Sequence, residues 1–440
     1  MEIRRERVLK WIDLHHEDIV DFLQELVRIP SVNPWFHETP GPSRENDVQA
    51  VIAERLKTLG AMVEQWEPDS GKLAKYEGYP GYYAGRDFHG RPNLAATLAG
   101  TGRGRSLLLF GHIDVVKAGA GWSTDPFGGA RQDGHIYGRG TVDMKGGVAA
   151  MVMAVEAVVR AGVRPTGTIL LGTVVDEEAG GMGTLAFVDR GYHADACILT
   201  EPTDLVVSPL CRGILWGKLI LRGRSGHIEM PQGDWRTGGA VDAIDKAHLF
   251  LDYFSRLNAD WARRKIHPLL PIPCQLHVAQ IQAGEYPTTF ANRAELIFNA
   301  QYLPSERDSF GLGGAVKREI HDGVQQVAVT DPWLREHPPE IEWLVDADCG
   351  ETPAGHTFVQ LCLENLKHLG HEGRVEGICS HTDMGWLVNA GIPTINLGPG
   401  DPRLAHQSDE NLREASLLDA VRVIALMILD WCGDNDGPSG

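Results

Sequence analysis

The chain is 440 residues long, beyond the usual size of one domain, and its 59 Asp and Glu against 41 Lys and Arg give a formal net charge of -18. Two domains with a substantial core are therefore expected, and nucleic acid and anionic membranes are excluded as partners by electrostatic repulsion. Seven dispersed cysteines without a C-x-x-C pair exclude a disulfide framework, and the charged start Glu2-Ile3-Arg4-Arg5-Glu6-Arg7 lacks the apolar core of an export signal, which points to the cytoplasm.

In chain order, Val8, Trp11, Ile12, Ile19, Phe22, Leu23 and Leu26 have the spacing of one opening helix. Ser31-Val32-Asn33-Pro34 breaks it, and a second helix is expected over 45–59, stopped by Gly60, with a strand over 62–66. The stretch 67–92, rich in Gly and Tyr, is too long and irregular for an ordinary connector and reads as a functional flap or a packed surface loop. Apolar runs at 106–110, 168–175 and 196–200 lack alternation, as strands covered on both faces do, and predict a largely parallel sheet. The apolar segment 144–159 is shorter than the ~20 residues that span a bilayer and reads as a helix of an α/β core.

From about Arg212 the texture changes. One polar face is expected on strands at 215–221, 275–282 and 294–303, with helices over 239–257 and 305–322 and a further strand over 340–345. Four strands and two helices form an α+β unit inserted at 211–346, because βα texture returns at 355–369, 393–397 and a final helix over 414–431. The fold class is thus α/β, with the catalytic domain over 1–210 and 347–440. The end, 433–440, has the composition of a disordered tail.

The chemistry concentrates at strand ends. His112 and Asp114 close the run Leu107-Leu108-Leu109-Phe110 and, two apart, share a face. Asp143 follows Gly138 and Gly140 just before the apolar helix; Asp176-Glu177-Glu178 and Glu201-Pro202-Thr203 each close an apolar strand. Side chains at the carboxyl ends of successive strands of an open α/β sheet converge on one crevice. Imidazole with carboxylates and no thiolate suits zinc, cobalt or manganese at a hydrolytic centre.

These segments, together with Arg91-Pro92-Asn93, Trp122, Asp125-Pro126-Phe127, Gly398-Pro399-Gly400 and His406 with Asp409-Glu410, resemble the zinc-dependent aminoacylases and carboxypeptidases that include acetylornithine deacetylase and succinyl-diaminopimelate desuccinylase. The resemblance implies a metallohydrolase domain with an inserted ferredoxin-like lid and dimerisation domain, and a homodimer acting on a small-molecule amide. It implies two divalent metals, zinc foremost, with Asp143 bridging, Glu178 and His406 on one ion, and His112 and Glu201 on the other. Asp114 would orient His112, and Glu177 would be the general base for a metal-activated water. His227, in Ser225-Gly226-His227, would reach across the dimer to the oxyanion, and Arg212 would grip a substrate carboxylate.

Departures from that pattern bear on substrate. Thr288 and Ala291 stand where relatives carry Asn and Pro, and Gln301 stands where relatives carry a carboxylate-binding Arg; Gln supplies no fixed charge. Arg212, Thr288, Gln301 and Gly398 are the expected substrate-binding residues. Formyl amides, other N-acyl amines, dipeptides and aryl amines fit the altered set, and a catalytically silent ligand-binding relative is the reading from another class.

Overall fold

A computed structural model describes residues 2–36, 43–79 and 81–433. These residues form two compact units, one of 1–211, 350–378 and 382–440, the other of 212–349 and 379–381. Except for Gly433, the expected tail lies outside the described residues.

The first unit is built on a six-stranded sheet ordered Met62–Trp66, Asn93–Leu98, Ile169–Val174, Leu107–His112, Cys197–Leu199, Thr394–Asn396. The last four strands run parallel, and the first two pair antiparallel. Every residue of Leu107–His112 and Ile169–Val174 is buried, as expected of strands covered on both faces. The strand Asn93–Leu98 escapes sequence reading because Asn-Leu-Ala-Ala-Thr-Leu carries little β-branched or aromatic signal.

The apolar helix Lys145–Arg160 is buried from Lys145 through Val158, which fixes it as core. A Cβ on Gly147 would lie 1.9 Å from the Thr200 carbonyl oxygen, so glycine is what lets the helix start press on the strand end that carries Glu201. The opening helix is two helices, Glu2–Leu14 and His16–Val27. His15 parts them, its ring stacked on Trp11 and its Nδ1 2.8 Å from the Trp11 carbonyl oxygen, a local bond that competes with helix continuation. Within 67–92 a short helix, Ser70–Leu73, is capped by Asp69, Leu73 and Phe88 are buried, and Tyr76 donates to Asp189 at 2.6 Å. That stretch is a packed loop. A small sheet of Ala130–Gln132, His135–Tyr137 and Asn411–Arg413, not anticipated, brings the 411–413 segment beside the approach to Asp143.

In the second unit, strands and helices follow the order Gly213–Arg222, Ala243–Arg264, Leu276–Ala283, Arg293–Tyr302, Gly314–Ala328, Glu340–Ala347. The sheet is fully antiparallel and ordered second, third, first, fourth, which is the ferredoxin-like arrangement. Phe250, Phe254, Trp261, Ile320 and Val324 from the helices join Leu215, Leu219, Leu296 and Phe298 in its core. The helix expected from 305 starts at Gly314 instead. Asp308 accepts from the Phe310 and Leu312 amides at 2.9 and 3.0 Å, a side-chain turn that delays helix nucleation.

Candidate metal centre

Four adjacent parallel strands deliver the site of the first unit. His112 ends its strand; the turn after Ile169–Val174 carries Asp176, Glu177 and Glu178; Glu201 lies two residues past Cys197–Leu199; and His406 lies in the loop after Thr394–Asn396. Asp143 sits two residues before the Lys145–Arg160 helix. Asp176 (φ 71°) and His406 (φ 63°) both hold left-handed backbone, a conformation that non-glycine residues adopt where the surroundings enforce it.

The side chains form two triads that share Asp143. Its Oδ1 is 3.2 Å from His112 Nε2, and its Oδ2 is 3.2 Å from His406 Nε2. Glu201 joins the first triad, with Oε1 3.9 Å from His112 Nε2, and Glu178 the second, with Oε2 3.2 Å from His406 Nε2. In each triad the donor atoms lie within 4.8 Å of one another. Glu177 Oε2 lies 3.8 Å from His112 Nε2, as near as Glu201, but its donor atoms group with Asp383 rather than with either triad.

Two buried carboxylates hold the turns that carry these groups. Asp114, expected to orient His112, is fully buried, but the His112 Nδ1 partner is the Asp114 backbone oxygen at 2.9 Å, with the carboxylate Oδ1 at 3.6 Å. The carboxylate instead accepts from the Glu177 and Glu178 amides, each at 3.2 Å, and from Asn33 Nδ2 at 2.8 Å. Asp114 stands two residues past the end of its strand, so alternation does not tie its side chain to the face of His112; the carboxylate meets the neighbouring strand's turn, and the backbone oxygen meets the imidazole. Glu410 does the same for Asp143: its Oε1 accepts from the amides of Gly140, Val142 and Asp143 at 3.0, 2.8 and 3.1 Å, and Arg139 pairs with it. Sequence reading assigned no role to Glu410 or Asn33; three backbone donors on one carboxylate have no signature in spacing.

The electrostatics are those of crowded buried carboxylates. Burial pulls Asp143 up, yet His112 and His406 hold it well below the usual carboxylate range. Asp143 and then Glu178 push the half-exposed His406 up to about 10. Burial raises Glu177 well above its ordinary value, with Asp383, Glu201 and Glu178 adding to it against His112. Burial likewise raises Glu201, and the nearby Asp143 carboxylate adds to that. Glu178 Oε1 and Glu201 Oε1 are buried without a hydrogen-bond partner. Orphaned carboxylate oxygens beside imidazoles that share a carboxylate are the donor set of a pair of divalent cations, so the residues fit the two ions that the sequence implies. Asp383, missed in the sequence, offers an oxygen within 4.8 Å of Glu177 and accepts from Thr184.

The other expected positions fall elsewhere. Gly398 packs on the Glu201 strand end, where a Cβ would lie 2.3 Å from the Thr200 carbonyl oxygen, and its own carbonyl accepts from the Thr203 and Leu205 amides. In the second unit His227 is exposed and bridges to Thr289, while the Thr288 carbonyl accepts from the Ile228 amide at 2.9 Å. Arg212 is fully buried; its Nη1 donates to Gln301 Oε1 at 2.8 Å and its Nη2 to the Ile272 carbonyl. Gln301 Oε1 also accepts from the Gln275 amide at 3.1 Å. Among the described residues no helix is long and apolar enough to cross a membrane.

The chain is similar to known proteins in sequence and in fold. Residues 108–430 match the family described as Peptidase family M20/M25/M40. The chain is 31% identical over 448 aligned residues, 97% of each chain, to N-formyl-4-amino-5-aminomethyl-2-methylpyrimidine deformylase of Halalkalibacterium halodurans. It is 29% identical, over 78% of this chain and 85% of the relative, to acetylornithine deacetylase of Vibrio cholerae. The solved dipeptidase Dug1p of Saccharomyces cerevisiae shares the fold, with a TM-score of 0.74 at 15% identity over 98% of this chain and 99% of that one.

Proposed function

The chain belongs to peptidase family M20/M25/M40 and is a metal-dependent hydrolase of amide C–N bonds, and from that premise we propose that it removes the formyl group from an N-formylaminomethyl-pyrimidine or a close heteroaromatic relative. Likeness to the deformylase along nearly the whole chain supports the acyl group and the ring. The neutral Gln301, its oxygen taken by Arg212 and the Gln275 amide, supports a substrate without an amino-acid carboxylate.

In this reading His112, Asp143 and Glu201 hold one zinc ion, and Asp143, Glu178 and His406 the other. The observation that carries it is the sharing of Asp143, whose two oxygens face the two imidazoles at 3.2 Å each. Held by these residues, two such ions would supply Lewis acidity towards the formyl oxygen and a lowered pKa for water. Glu177, outside both triads, takes a proton from water as its oxygen bonds to the formyl carbon. When the C–N bond breaks, Glu177 passes that proton to the leaving nitrogen, which gives formate and a free amine. Asp114 acts as a positioning residue for the Glu177–Glu178 turn. His227 contributes an oxyanion donor from the second subunit of a homodimer in the cytoplasm.

The test is a screen of zinc-loaded protein against N-formyl, N-acetyl, N-succinyl and N-carbamoyl amines and dipeptides, with amine release as readout. Preference for the formylated aminomethyl-pyrimidine is expected. Efficient dipeptide cleavage with the formyl compounds untouched would overturn the substrate assignment and leave the hydrolase class standing.

A further inference from the structure

The loop 67–92 does more than cover surface, because its Arg86 reaches the turn that carries Glu177 and Glu178. Arg86 Nη2 donates to the Ala179 carbonyl at 2.8 Å, and its Nε lies 3.5 Å from Asp176 Oδ2. The guanidinium lies against two aromatic rings, 4.4 Å from the ring centre of Trp35 and 4.9 Å from that of Tyr83. Its side chain is only 8% exposed although it sits on a connecting loop. Contact of this kind holds a planar cation in place.

The turn it grips is one that needs holding. Asp176 is left-handed at φ 71°, and the Gly180 and Gly181 amides close back on the Glu177 and Asp176 carbonyls at 2.9 and 2.8 Å. A Cβ on Gly180 would lie 2.4 Å from the Tyr83 hydroxyl, so the Tyr83 side chain rests directly on the turn. From the opposite side Asn33 reaches both Asp114, at 2.8 Å, and Asp176, at 3.4 Å, and its own Oδ1 accepts from the Trp35 amide at 2.9 Å. Asp114 thus fixes the amides of Glu177 and Glu178, while Arg86 holds the Ala179 carbonyl after them and shares Asp176 before them with Arg91, whose Nη2 donates to Asp176 Oδ1 at 3.3 Å.

We propose that Arg86, held against Trp35 and Tyr83, is a positioning residue that sets the Asp176–Ala179 turn and through it the reach of Glu178 to its metal and of Glu177 to the scissile amide. The proposal rests on the ligand assignment given above. It assigns a role in the hydrolytic reaction to a stretch that its sequence leaves between a functional flap and a packed surface loop. An arginine is required because one side chain must donate to a carbonyl, pair with a carboxylate and lie against two aromatic rings at once.

Arg86→Gln in the full chain tests this. Zinc affinity is measured by competition with a chromophoric chelator, beside kcat and KM on the formyl substrate and the melting temperature of the metal-free protein. Loss of a group that orients ligands typically costs about 10- to 100-fold in metal affinity or activity, and that loss is expected here for one of the two zinc sites and for kcat, with KM changed by less than about threefold. A melting temperature lowered with zinc affinities and kcat at wild-type values would make Arg86 a packing residue only and overturn the proposal. Tyr83→Leu, which removes one of the two rings, is measured alongside and stands in if Arg86→Gln does not fold; smaller losses of the same kind support the proposal, and unchanged values overturn it. Wild-type protein that binds fewer than two zinc ions in the same titration would defeat the ligand assignment instead, so the two failures are distinguishable.

Discussion

Asp114→Asn separates two roles that a carboxylate beside a metal-binding histidine can play. The side chain is fully buried and accepts from the Glu177 amide on Oδ1, and from the Glu178 amide and Asn33 on Oδ2. An isosteric amide keeps one acceptor oxygen and turns the other into a donor. Placed to keep the oxygen at Oδ2, where two donors meet, the substituted side chain would face the Glu177 amide with an NH2 group and leave that buried N–H without an acceptor. A buried hydrogen bond to a charged group contributes about 1.5–3 kcal/mol, and leaving its donor unsatisfied costs a similar amount, so metal-free protein should unfold with a free energy lowered by about 2–3 kcal/mol. Urea unfolding of the chelated protein measures it, and zinc competition should show affinity lowered by about 10- to 100-fold as the Glu178 amide and side chain lose their fixed position. If Asp114 served His112 alone, zinc affinity would fall while the metal-free protein unfolded as before. That result would refute the assignment of the carboxylate to the turn.

Further outcomes follow from the same geometry. Glu177→Gln should retain zinc content and lose at least the ~100-fold in kcat that general-base assistance supplies; near-normal turnover with normal zinc removes Glu177 from that role. His406→Ala, which deletes the imidazole 3.2 Å from both Asp143 and Glu178, should bring zinc content by elemental analysis down towards one ion per chain. In the metal-free protein the His406 pKa rises from 6.5 to about 10, so its contribution to stability is fully present below 6.5 and lost as pH climbs through about 10. Melting temperatures of the chelated wild type should fall over that window, and the fall should be smaller in His406→Ala. Mixed His227→Ala and Glu177→Gln chains should regain activity after demonstrated subunit exchange, because a heterodimer has one site with both residues; no recovery would return His227 to a role within its own chain.

What the sequence reveals and what it hides divide along physical lines. The strand ends, the glycine-rich approach to Asp143 and the buried helix after it are legible because side-chain periodicity and backbone constraint leave local marks. The convergence of His112, Asp143, Glu178 and Glu201 is legible because each stands at a strand end or helix start of an open α/β sheet, and His406 joins them only through the family resemblance. The partners of those residues are not. Asp114 looks like a support for His112 at a spacing of two, whereas the carboxylate bonds to backbone amides of a turn more than sixty residues away. Glu410 gathers three amides from across the chain, and Arg86 works through a carbonyl and two rings; backbone groups carry no sequence identity, so contacts with them leave no pattern. The helix expected at 305 fails for a related reason, since the Asp308 turn competes with it through main-chain donors.

The same buried carboxylates explain why metal and fold belong together. Asp114 and Glu410 offset their burial with backbone donors, so they serve the folded state with or without an ion. Glu178 and Glu201 each keep an oxygen buried without a donor, and Glu177 is pushed up by its burial and by the carboxylates around it. On the proposed ligand assignment, a divalent cation would favour the ionised form of Glu178 and Glu201, which burial disfavours. The supporting carboxylates therefore preorganise the turns, and the carboxylates assigned as ligands would give up protons as cations bind. That division would link metal binding to pH and to stability, because the turns are held by bonds that need no ion.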